Sequence, residues 1–423
     1  MHTVVNSSDP ILPSLAAPAH RWKVLATGFI ANASFAVAFA GIPMTGILMR
    51  TDYRLDNGDL GMVLGLLGLG AALSELPWGW LTDRWGDRRV LLCGLSATAL
   101  SLLLMAWLAV PHAGHLPHPW WLWAGMLAVG LFGGSVNGAS GRAVMAWFGP
   151  GERGLAMSIR QTAVPAGGAL GALALPALAA GPGFAWVYGL LALFCAGSAL
   201  LTWCWLYEPA STWSAGNGQQ AAGGAMPLRA WSVWRVALAI GILCLPQFAV
   251  LTFASIFLHD VGAVGLIAIS VSMALVQIGA AVTRIWSGRW TDRHGNRRHY
   301  LRLCSMLSVV MFVVLALLTA VVTLLAPDLS FMRSLLLMLV VAAGIVVSAW
   351  HGVAYAELAT MAGPRHVGTV LGLGNTCVFV IFFLTAQMIP FLARQSWSLV
   401  WLAAAVAALL AWGLFLKPAA AHN

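Results

Sequence analysis

Charged residues are scarce in this chain. Only 8% of its 423 residues are Asp, Glu, Lys or Arg, whereas 60% are hydrophobic. Soluble domains carry roughly 25% charged residues, so this chain has too few charges to cover a surface exposed to water. The composition therefore excludes a soluble multidomain protein and predicts that most side chains face lipid.

Other absences exclude further classes. Lys23 and Lys417 are the only lysines and neither lies in a G-x-x-x-x-G-K-[ST] pattern, so the chain does not drive transport by its own ATP hydrolysis. The six cysteines are scattered through apolar segments without a C-x-x-C pair, which predicts neither disulfides nor a metal site. The first twenty residues lack the pattern of a cleaved signal peptide.

The net charge of +9 is distributed unevenly along the chain. Most lysines and arginines lie in alternate connections and in the termini, and only four lie in the remaining connections: Arg50, Arg54, Arg333 and Arg394. Because positive loops stay in the cytoplasm, this asymmetry predicts an inner-membrane protein with both termini cytoplasmic. It also argues against a basic surface for nucleic acid.

Apolar runs long enough to cross a membrane recur twelve times, and each needs about 20 residues as a helix. The predicted spans are 22–49, 59–81, 88–110, 119–147, 154–180, 183–206, 233–259, 262–287, 300–326, 331–360, 366–392 and 395–417. A linker rich in Gly, Ala, Ser and Gln separates the two sets of six. We therefore predict an all-α membrane protein with a tail at 1–21, a six-helix bundle at 22–206, a cytoplasmic linker at 207–232, a second bundle at 233–417 and a tail at 418–423.

The two bundles share a repeat. The segment from Gly79 to Arg89 reads GWLTDRWGDRR, and the segment from Gly288 to Arg298 reads GRWTDRHGNRR, with seven of eleven positions identical. Each copy joins the second and third spans of its bundle. Weaker echoes relate Gly149-Pro150 and Pro176 to Gly363-Pro364 and Pro390. Duplicated helical halves with a site between them are a recurring transporter architecture.

This repeat resembles the signature G-x-L-x-D-R-x-G-R-R of the major facilitator superfamily. The matching residues are Gly79, Asp83, Arg84, Gly86, Arg88 and Arg89 in the first copy and Gly288, Asp292, Arg293, Gly295, Arg297 and Arg298 in the second. Asp87 and Asn296 depart from it at an often basic position, and Trp290 replaces the usual Leu. The resemblance implies two pseudo-symmetric six-helix bundles, transport by alternating access, and a gating role for these turns.

Elementary chemistry supports that role. Gly86 and Gly295 suit sharp turns of the backbone. The Asp of each copy can accept hydrogen bonds from the arginines or face the amino terminus of a helix, and either contact would latch the halves together. The alternative is that the arginines only orient the chain in the membrane.

Ionisable residues inside spans are costly and are functional candidates by default. Arg284 lies one turn before Gly288 and resembles the residue with which organic-anion carriers of the superfamily, including monocarboxylate and oxalate carriers, hold a substrate carboxylate. Arg160, followed by Gln161, lies two turns into the fifth span and could flank the same anion. Glu75, the repeat counterpart of Arg284, is the candidate for proton coupling. Structural ion pairs are the alternative for all three charges.

Four more residues complete the candidates. His351 and its repeat counterpart Asn137 are expected to face the cavity and contact substrate, although a lone His is more often a packing residue. Arg142 and Glu357 lie near the cytoplasmic ends of the fourth and tenth spans, and we predict an ion pair between them that closes the inner mouth. Glu357 is also a second candidate for proton coupling.

Uptake of a small organic anion by proton symport is the preferred function. The alternative is efflux of an amphipathic compound by proton antiport. Against it, Met126 stands where antiporters of the superfamily usually carry Arg, and the fifth span lacks their usual G-P-x-x-G-G. A membrane enzyme would need a catalytic cluster. The nearest histidines, His112, His115 and His118, lie among three prolines that disfavour one helical face, and no carboxylate is near them in the sequence. We expect a carrier rather than an enzyme, acting as a monomer, with no cofactor or metal.

Overall fold

The computed structural model describes residues 17–55, 57–112, 115–207, 227–262, 264–324, 330–363 and 365–416. The predicted tail at 418–423 lies outside these ranges, as do most of the tail at 1–21 and most of the linker at 207–232. Within the described residues the protein is all-helical apart from an isolated bridge between His112 and His115.

The first half contains nine α-helices among its described residues. They are α1 (Ala17–Gly41), α2 (Gly46–Tyr53), α3 (Asn57–Trp85), α4 (Asp87–Leu108), α5 (Pro119–Gly133), α6 (Ser135–Trp147), α7 (Arg153–Gln161), α8 (Ala163–Ala180) and α9 (Phe184–Trp205). A 3₁₀ turn at Ile42–Thr45 joins α1 to α2. The pairs α5–α6 and α7–α8 are single spans with a break in the middle.

The second half contains eight described α-helices. They are α10 (Trp231–Phe248), α11 (Ala254–Asp260), α12 (Leu266–His294), α13 (Arg297–Leu324), α14 (Ser330–Ser348), α15 (His351–Ala362), α16 (Val367–Gln395) and α17 (Trp397–Leu416). A 3₁₀ turn at Pro227–Arg229 precedes α10, and a π-helical turn at Ala249–Phe253 joins α10 to α11. The pair α14–α15 is again one broken span.

Eleven described helical segments are long and apolar enough to cross a membrane. The predicted eighth span, α12, is not among the eleven, but at 29 residues it is as long as α3 and α16. Its carboxyl-terminal part carries the second copy of the repeat, as that of α3 carries the first. Counted together with α12, the segments make the predicted twelve spans and identify a multi-pass membrane protein.

Helix breaks occur where the sequence favours them. The fourth span breaks at Gly134, and the tenth breaks after Ser348. These positions are equivalent in the two halves, because they are separated by the same number of residues as Gly149 and Gly363 of the Gly-Pro echo. The fifth breaks at Thr162, before Pro165. Proline has no N–H and its ring excludes the carbonyl four residues earlier, so Pro165 frees the carbonyl of Gln161. Such carbonyls are tolerated at membrane depth only where protein groups satisfy them.

The two halves pack most closely at one membrane face. We call it the motif face, because it carries the turns at Gly86 and Gly295; the opposite face is the far face. There α3 packs against α16 and α7 packs against α12 and α15. The apolar core of the second half continues into the first through Phe148, Ala156 and Met157. Elsewhere large apolar side chains such as Leu173 and Leu324 are exposed, as a lipid-facing surface requires.

Candidate functional site

Two aspartates, Asp83 and Asp292, connect the halves at the motif face through hydrogen bonds to helix amino termini. We call these two sets of contacts the latches. Oδ1 of Asp83 accepts a hydrogen bond from the Gly368 amide at 2.8 Å. Oδ2 accepts from the amide and hydroxyl of Thr369, at 2.7 and 2.6 Å. These donors lie in the first turn of α16, where backbone amides have no partner within the helix. The carboxylate also complements the positive end of the helix dipole.

The repeat reproduces this latch in the other direction. Asp292 accepts hydrogen bonds from the amides of Gly154 at 3.1 Å and Leu155 at 2.8 Å, in the first turn of α7. Leu155 occupies the place that Thr369 has in the first latch, so the second latch lacks the hydroxyl bond. Each half therefore caps a helix of the other, and the predicted gating role of both aspartates has a geometric basis.

Glycines allow the helices behind the latches to cross closely. A side chain at Gly79 would meet the backbone of Gly368 and Gly372 in α16, and its Cβ would lie 3.2 Å from the Cα of Gly372. A Cβ at Gly288 would lie 2.5 Å from the Gly154 carbonyl oxygen and 2.7 Å from the Ser158 Cβ. Small residues at such crossings let backbones approach within van der Waals contact.

The turn glycines behave as predicted. Gly86 has φ +86° and Gly295 has φ +63°, a region that L side chains rarely adopt. The arginines of the motif are divided in their contacts. Arg84 lies over the Trp80 ring at 4.2 Å, and Arg88 lies over the Trp203 ring at 4.7 Å and donates to the Trp203 carbonyl. Of the two alternatives for the carboxylate of the motif, Asp83 therefore follows the one in which it faces the amino terminus of a helix, and Arg84 and Arg88 contact tryptophans.

The predicted ion pair between Arg142 and Glu357 is also wrong. Arg142 Nη1 lies 2.8 Å from Asp87 Oδ1, and its Nε lies 3.5 Å from Asp83 Oδ1. Glu357 Oε1 instead accepts a hydrogen bond from Arg298 Nε at 2.6 Å. Each of the two charges has its partner within its own half. The turn at Gly86 folds back towards the fourth span, which carries Arg142, and the turn at Gly295 folds back towards the tenth span, which carries Glu357.

In the second half Arg297 lies beside the carboxylate of Asp292, as Arg142 lies beside that of Asp83 in the first half. Its Nη2 donates to Asp292 Oδ1 at 2.9 Å, so one arginine stands beside each latch carboxylate. Arg293 is exposed and has no contact of this kind among the described residues. Asp87, which departs from the family signature, supplies the counter-ion of Arg142; an acidic residue at a usually basic position was the signal for that role.

Arg284 lies at the centre of the interface and is 1% exposed. Its Nε donates to the Ser348 carbonyl at 2.8 Å, and its Nη1 donates to the Gln161 carbonyl in the other half at 2.7 Å. Its Nη2 lies 3.4 Å from His351 Nδ1. Both carbonyls belong to helix breaks, so the guanidinium satisfies the acceptors that the breaks in the fifth and tenth spans set free.

Glu75, Asn137 and Arg160 form the matching cluster in the first half. Nδ2 of Asn137 donates to Glu75 Oε1 at 2.5 Å, and the Asn137 carbonyl accepts from Arg160 Nη2 at 2.7 Å. Arg160 Nε donates to Ser140 Oγ at 2.9 Å. Glu75 is 0% exposed and Arg160 is 2% exposed. Asn137 therefore connects the buried carboxylate to the buried guanidinium.

The two clusters correspond to each other under the repeat, with opposite charge. Glu75 contacts Asn137 as Arg284 contacts His351. Arg284 reaches Gln161 across the interface, and the Asn375 amide, the counterpart of Gln161, lies beside the Glu75 carboxylate. Asn375 accepts from the Tyr355 hydroxyl at 2.5 Å. The structure thus brings all five predicted substrate residues and Glu75 into one buried polar centre.

Aromatic side chains form a layer on the far-face side of this centre. Phe39 of α1 contacts Phe379 and Phe382 of α16, both with ring centroids 5.0 Å apart. Phe248, beside the π-helical turn, contacts Phe382 edge to face at 4.8 Å. We call Phe39, Phe248, Phe379 and Phe382 the aromatic layer. It joins the halves. Its residues come from the first, seventh and eleventh spans, and no pattern within a single span predicts that these rings meet.

Comparisons with known proteins agree with this architecture. The family model described as Major Facilitator Superfamily matches residues 24–326. An uncharacterized MFS-type transporter of Mycobacterium tuberculosis (strain H37Rv) is 28% identical over 361 residues, covering 84% of this chain and 76% of that protein. A probable galactarate/D-glucarate transporter of Bacillus subtilis is 27% identical over 143 residues, covering 34% of this chain and 31% of that protein.

Solved structures share the fold. The proton:xylose symporter XylE bound to 6-bromo-6-deoxy-D-glucose has a TM-score of 0.76 at 14% identity, covering 94% of this chain and 95% of that chain. A bacterial homologue of the iron transporter ferroportin in the outward-facing state has a TM-score of 0.71 at 12% identity, covering 94% and 98%. With the family model matching most of the chain, this protein belongs to the major facilitator superfamily and is a transporter rather than an enzyme.

Proposed function

We propose that the protein is a secondary transporter of the inner membrane that takes up a small organic anion together with a proton, by alternating access. One observation carries the proposal. Two buried guanidinium groups lie at the interface of the halves, and among the described residues one carboxylate, that of Glu75, is buried in the same polar centre beside Arg160. An excess of buried positive charge is costly unless an anion compensates it. A relative named for galactarate and D-glucarate, both organic anions, supports this class of substrate.

Within this proposal each polar residue has a role. Arg284 and Arg160 hold the anion, since a guanidinium can make two parallel bonds to a carboxylate. Glu75 carries the proton. Asn137 and His351 orient these charged groups, and the carbonyl of Gln161 holds Arg284 when substrate is absent. Glu357, paired with Arg298 at the motif face, is assigned to the gate rather than to the proton.

The latches set the direction of access. While Asp83 and Asp292 cap α16 and α7, the motif face stays closed and the polar centre is reached from the far face. Release on the motif face requires both capping contacts to break and the glycine crossings to separate. The charge distribution of the loops favours the motif face as cytoplasmic, so an inward proton gradient would drive the anion towards the cytoplasm in this cycle.

Transport into proteoliposomes tests the proposal. Labelled carboxylates, amino acids and sugars are offered with and without an inward proton gradient. We expect carboxylate uptake that the gradient accelerates and that R284Q abolishes. R333Q, which removes an arginine outside the polar centre, is the matched control and should transport like the parent. Equal carboxylate transport by R284Q and the parent would refute the site, and uptake driven only by an outward proton gradient would indicate efflux.

A further inference from the structure

Charge in the polar centre is unbalanced, and the following inference rests on the proposed function. Among the described residues, Arg160 donates hydrogen bonds to two uncharged acceptors, the Ser140 hydroxyl and the Asn137 carbonyl. Those of Arg284 go to two carbonyls and a histidine ring nitrogen. With Glu75 ionised, the three charges sum to +1. The centre is therefore short of one negative charge in its empty state.

Glu75 has an oxygen that can receive a proton. Its Oε2 is buried and has no partner within hydrogen-bonding distance among the described residues, whereas Oε1 accepts from Asn137. The titratable groups that face this carboxylate are Arg160 of α7 and Tyr355 of α15; the neighbouring amides of Asn137 and Asn375 are neutral. A proton from water on the far side would convert the free oxygen into a hydroxyl.

Protonation of Glu75 and binding of the substrate leave the net charge of the polar centre unchanged only if the substrate is a monoanion. A protonated Glu75 leaves two guanidinium charges, and one carboxylate then restores the net charge of +1 that the empty centre has. A dianion would make the loaded centre neutral, unlike the empty one. The empty carrier and the loaded carrier must each switch access from one membrane face to the other. If the substrate keeps the buried charge constant, the electrostatic cost of that switch is the same with and without substrate.

The aromatic layer sets the chemistry of the rest of the substrate. Asn375, Phe379 and Phe382 lie at positions i, i+4 and i+7 of α16, so they share one helix face. Phe382 stands seven residues, about 10 Å, beyond Asn375 along the helix axis. A molecule whose carboxylate lies at the arginines beside Asn375 therefore meets the Phe379 ring after about one helical turn and the Phe382 ring after about two. Ring faces favour an apolar body and leave the hydroxyl groups of a sugar acid without partners.

We infer that the substrate is a monocarboxylate with a compact apolar or aromatic body. Its carboxylate replaces that of Glu75 as counter-ion of the two central arginines while Glu75 takes up one proton, and its body packs beneath the aromatic layer. No bond is made or broken in the substrate. The proton enters from the far side with the anion and leaves with it at the motif face.

Binding calorimetry of the purified full-length protein tests the proton and the charge. Benzoate, phenylacetate and 3-methyl-2-oxobutanoate are titrated at one pH in buffers of different ionisation enthalpy, beside succinate and galactarate. We expect about one proton taken up per monocarboxylate bound, from the linkage between protonation and binding. E75Q should bind the same anions with no proton uptake, because its amide is neutral from the start. Monocarboxylate binding without proton uptake by the parent would overturn the inference.

The aromatic layer is tested by a matched pair on α16. F382L should weaken benzoate binding by roughly threefold to tenfold through loss of ring contacts, and leave acetate binding unchanged. F391L, which replaces an exposed phenylalanine of the same helix, should bind both like the parent. Equal binding of benzoate by F382L and the parent would contradict the assigned position of the apolar body.

Failure of this inference is distinguishable from failure of the proposed function. Proton-coupled transport of galactarate or succinate, with benzoate and its analogues excluded, would leave an organic-anion symporter in place and overturn the apolar monocarboxylate. Absence of transport for every organic anion would remove both.

Discussion

Replacing Asp83 with Asn should weaken the latch at the amino terminus of α16 and leave the Asp292 latch at the amino terminus of α7 intact. The Asp83 carboxylate accepts three hydrogen bonds, from the Gly368 amide and from the amide and hydroxyl of Thr369. Asn can keep the bond to the Gly368 amide through its carbonyl oxygen, but its NH₂ group would then face the Thr369 amide, donor against donor.

The magnitude follows from these bonds. Loss of two hydrogen bonds to a charged group, at about 1.5 kcal/mol each, weakens the closed latch by about 3 kcal/mol. That free energy corresponds to an increase of roughly 100-fold in the exchange rate of amides that exchange only when the latch opens. T369V removes the hydroxyl bond alone, worth about 1.5 kcal/mol, and should raise exchange by about tenfold.

Hydrogen–deuterium exchange of the protein in lipid nanodiscs measures this directly. In D83N, the segment from Gly368 to Gly372 should exchange faster, while the segment from Gly154 to Ser158 at the start of α7 keeps the parental rate. D292N should give the reverse pattern. If D83N leaves exchange at the start of α16 unchanged, or accelerates the start of α7 equally, the carboxylate does not cap α16 as argued.

Three further predictions concern the interface. G288A should reduce transport more than tenfold, because its Cβ would lie 2.5 Å from a backbone carbonyl of α7; flux measurements check this. P165A should restore a helical partner for the Gln161 carbonyl and compete with Arg284, which lowers anion affinity by about fivefold in calorimetry. R142Q and E357Q should impair transport separately, and exchanging the two charges should not recover it.

Controls for these variants lie in the same helices or in comparable positions. G413A places a Cβ in open space on α17 and should transport like the parent. Recovery of transport by the double charge exchange of Arg142 and Glu357 would mean that these residues pair with each other during the cycle, in contradiction to their separate partners.

The sequence predicted the fold well because its strongest signals are local. Twelve apolar runs, a linker and a repeated turn determine two six-helix bundles, and the positive φ at Gly86 and Gly295 follows from residue type alone. The position of the buried charges was also predictable, since a charge within a span is conspicuous in an apolar chain. The repeat then related Glu75 to Arg284 and Asn137 to His351.

Contacts between the two halves could not be predicted from the sequence, because they depend on how the helices pack. Pro165 predicts a freed carbonyl at Gln161, but only the packing of α7 on α12 shows that Arg284 satisfies it. The partner of Arg142 was predicted in the other half because the repeat aligns spans and does not say where a long side chain turns. The arginine folds back to Asp87, and that choice depends on the path of one short loop.

The central claim is that a buried carboxylate couples proton and anion in one centre between two halves. The accumulation ratio of labelled 3-methyl-2-oxobutanoate in proteoliposomes, held at fixed pH gradients with the membrane potential clamped to zero, tests it most directly. Protein-free liposomes give the baseline for passage of the neutral acid through lipid, and the early uptake above that baseline is the carrier's. One proton per anion predicts a carrier-dependent ratio that rises about tenfold per pH unit, since one unit is worth 1.36 kcal/mol. It also predicts that E75Q lets the anion cross without accumulation above the baseline. A carrier-dependent ratio that stays at one in the parent at every gradient, while the anion still crosses, would contradict the claim.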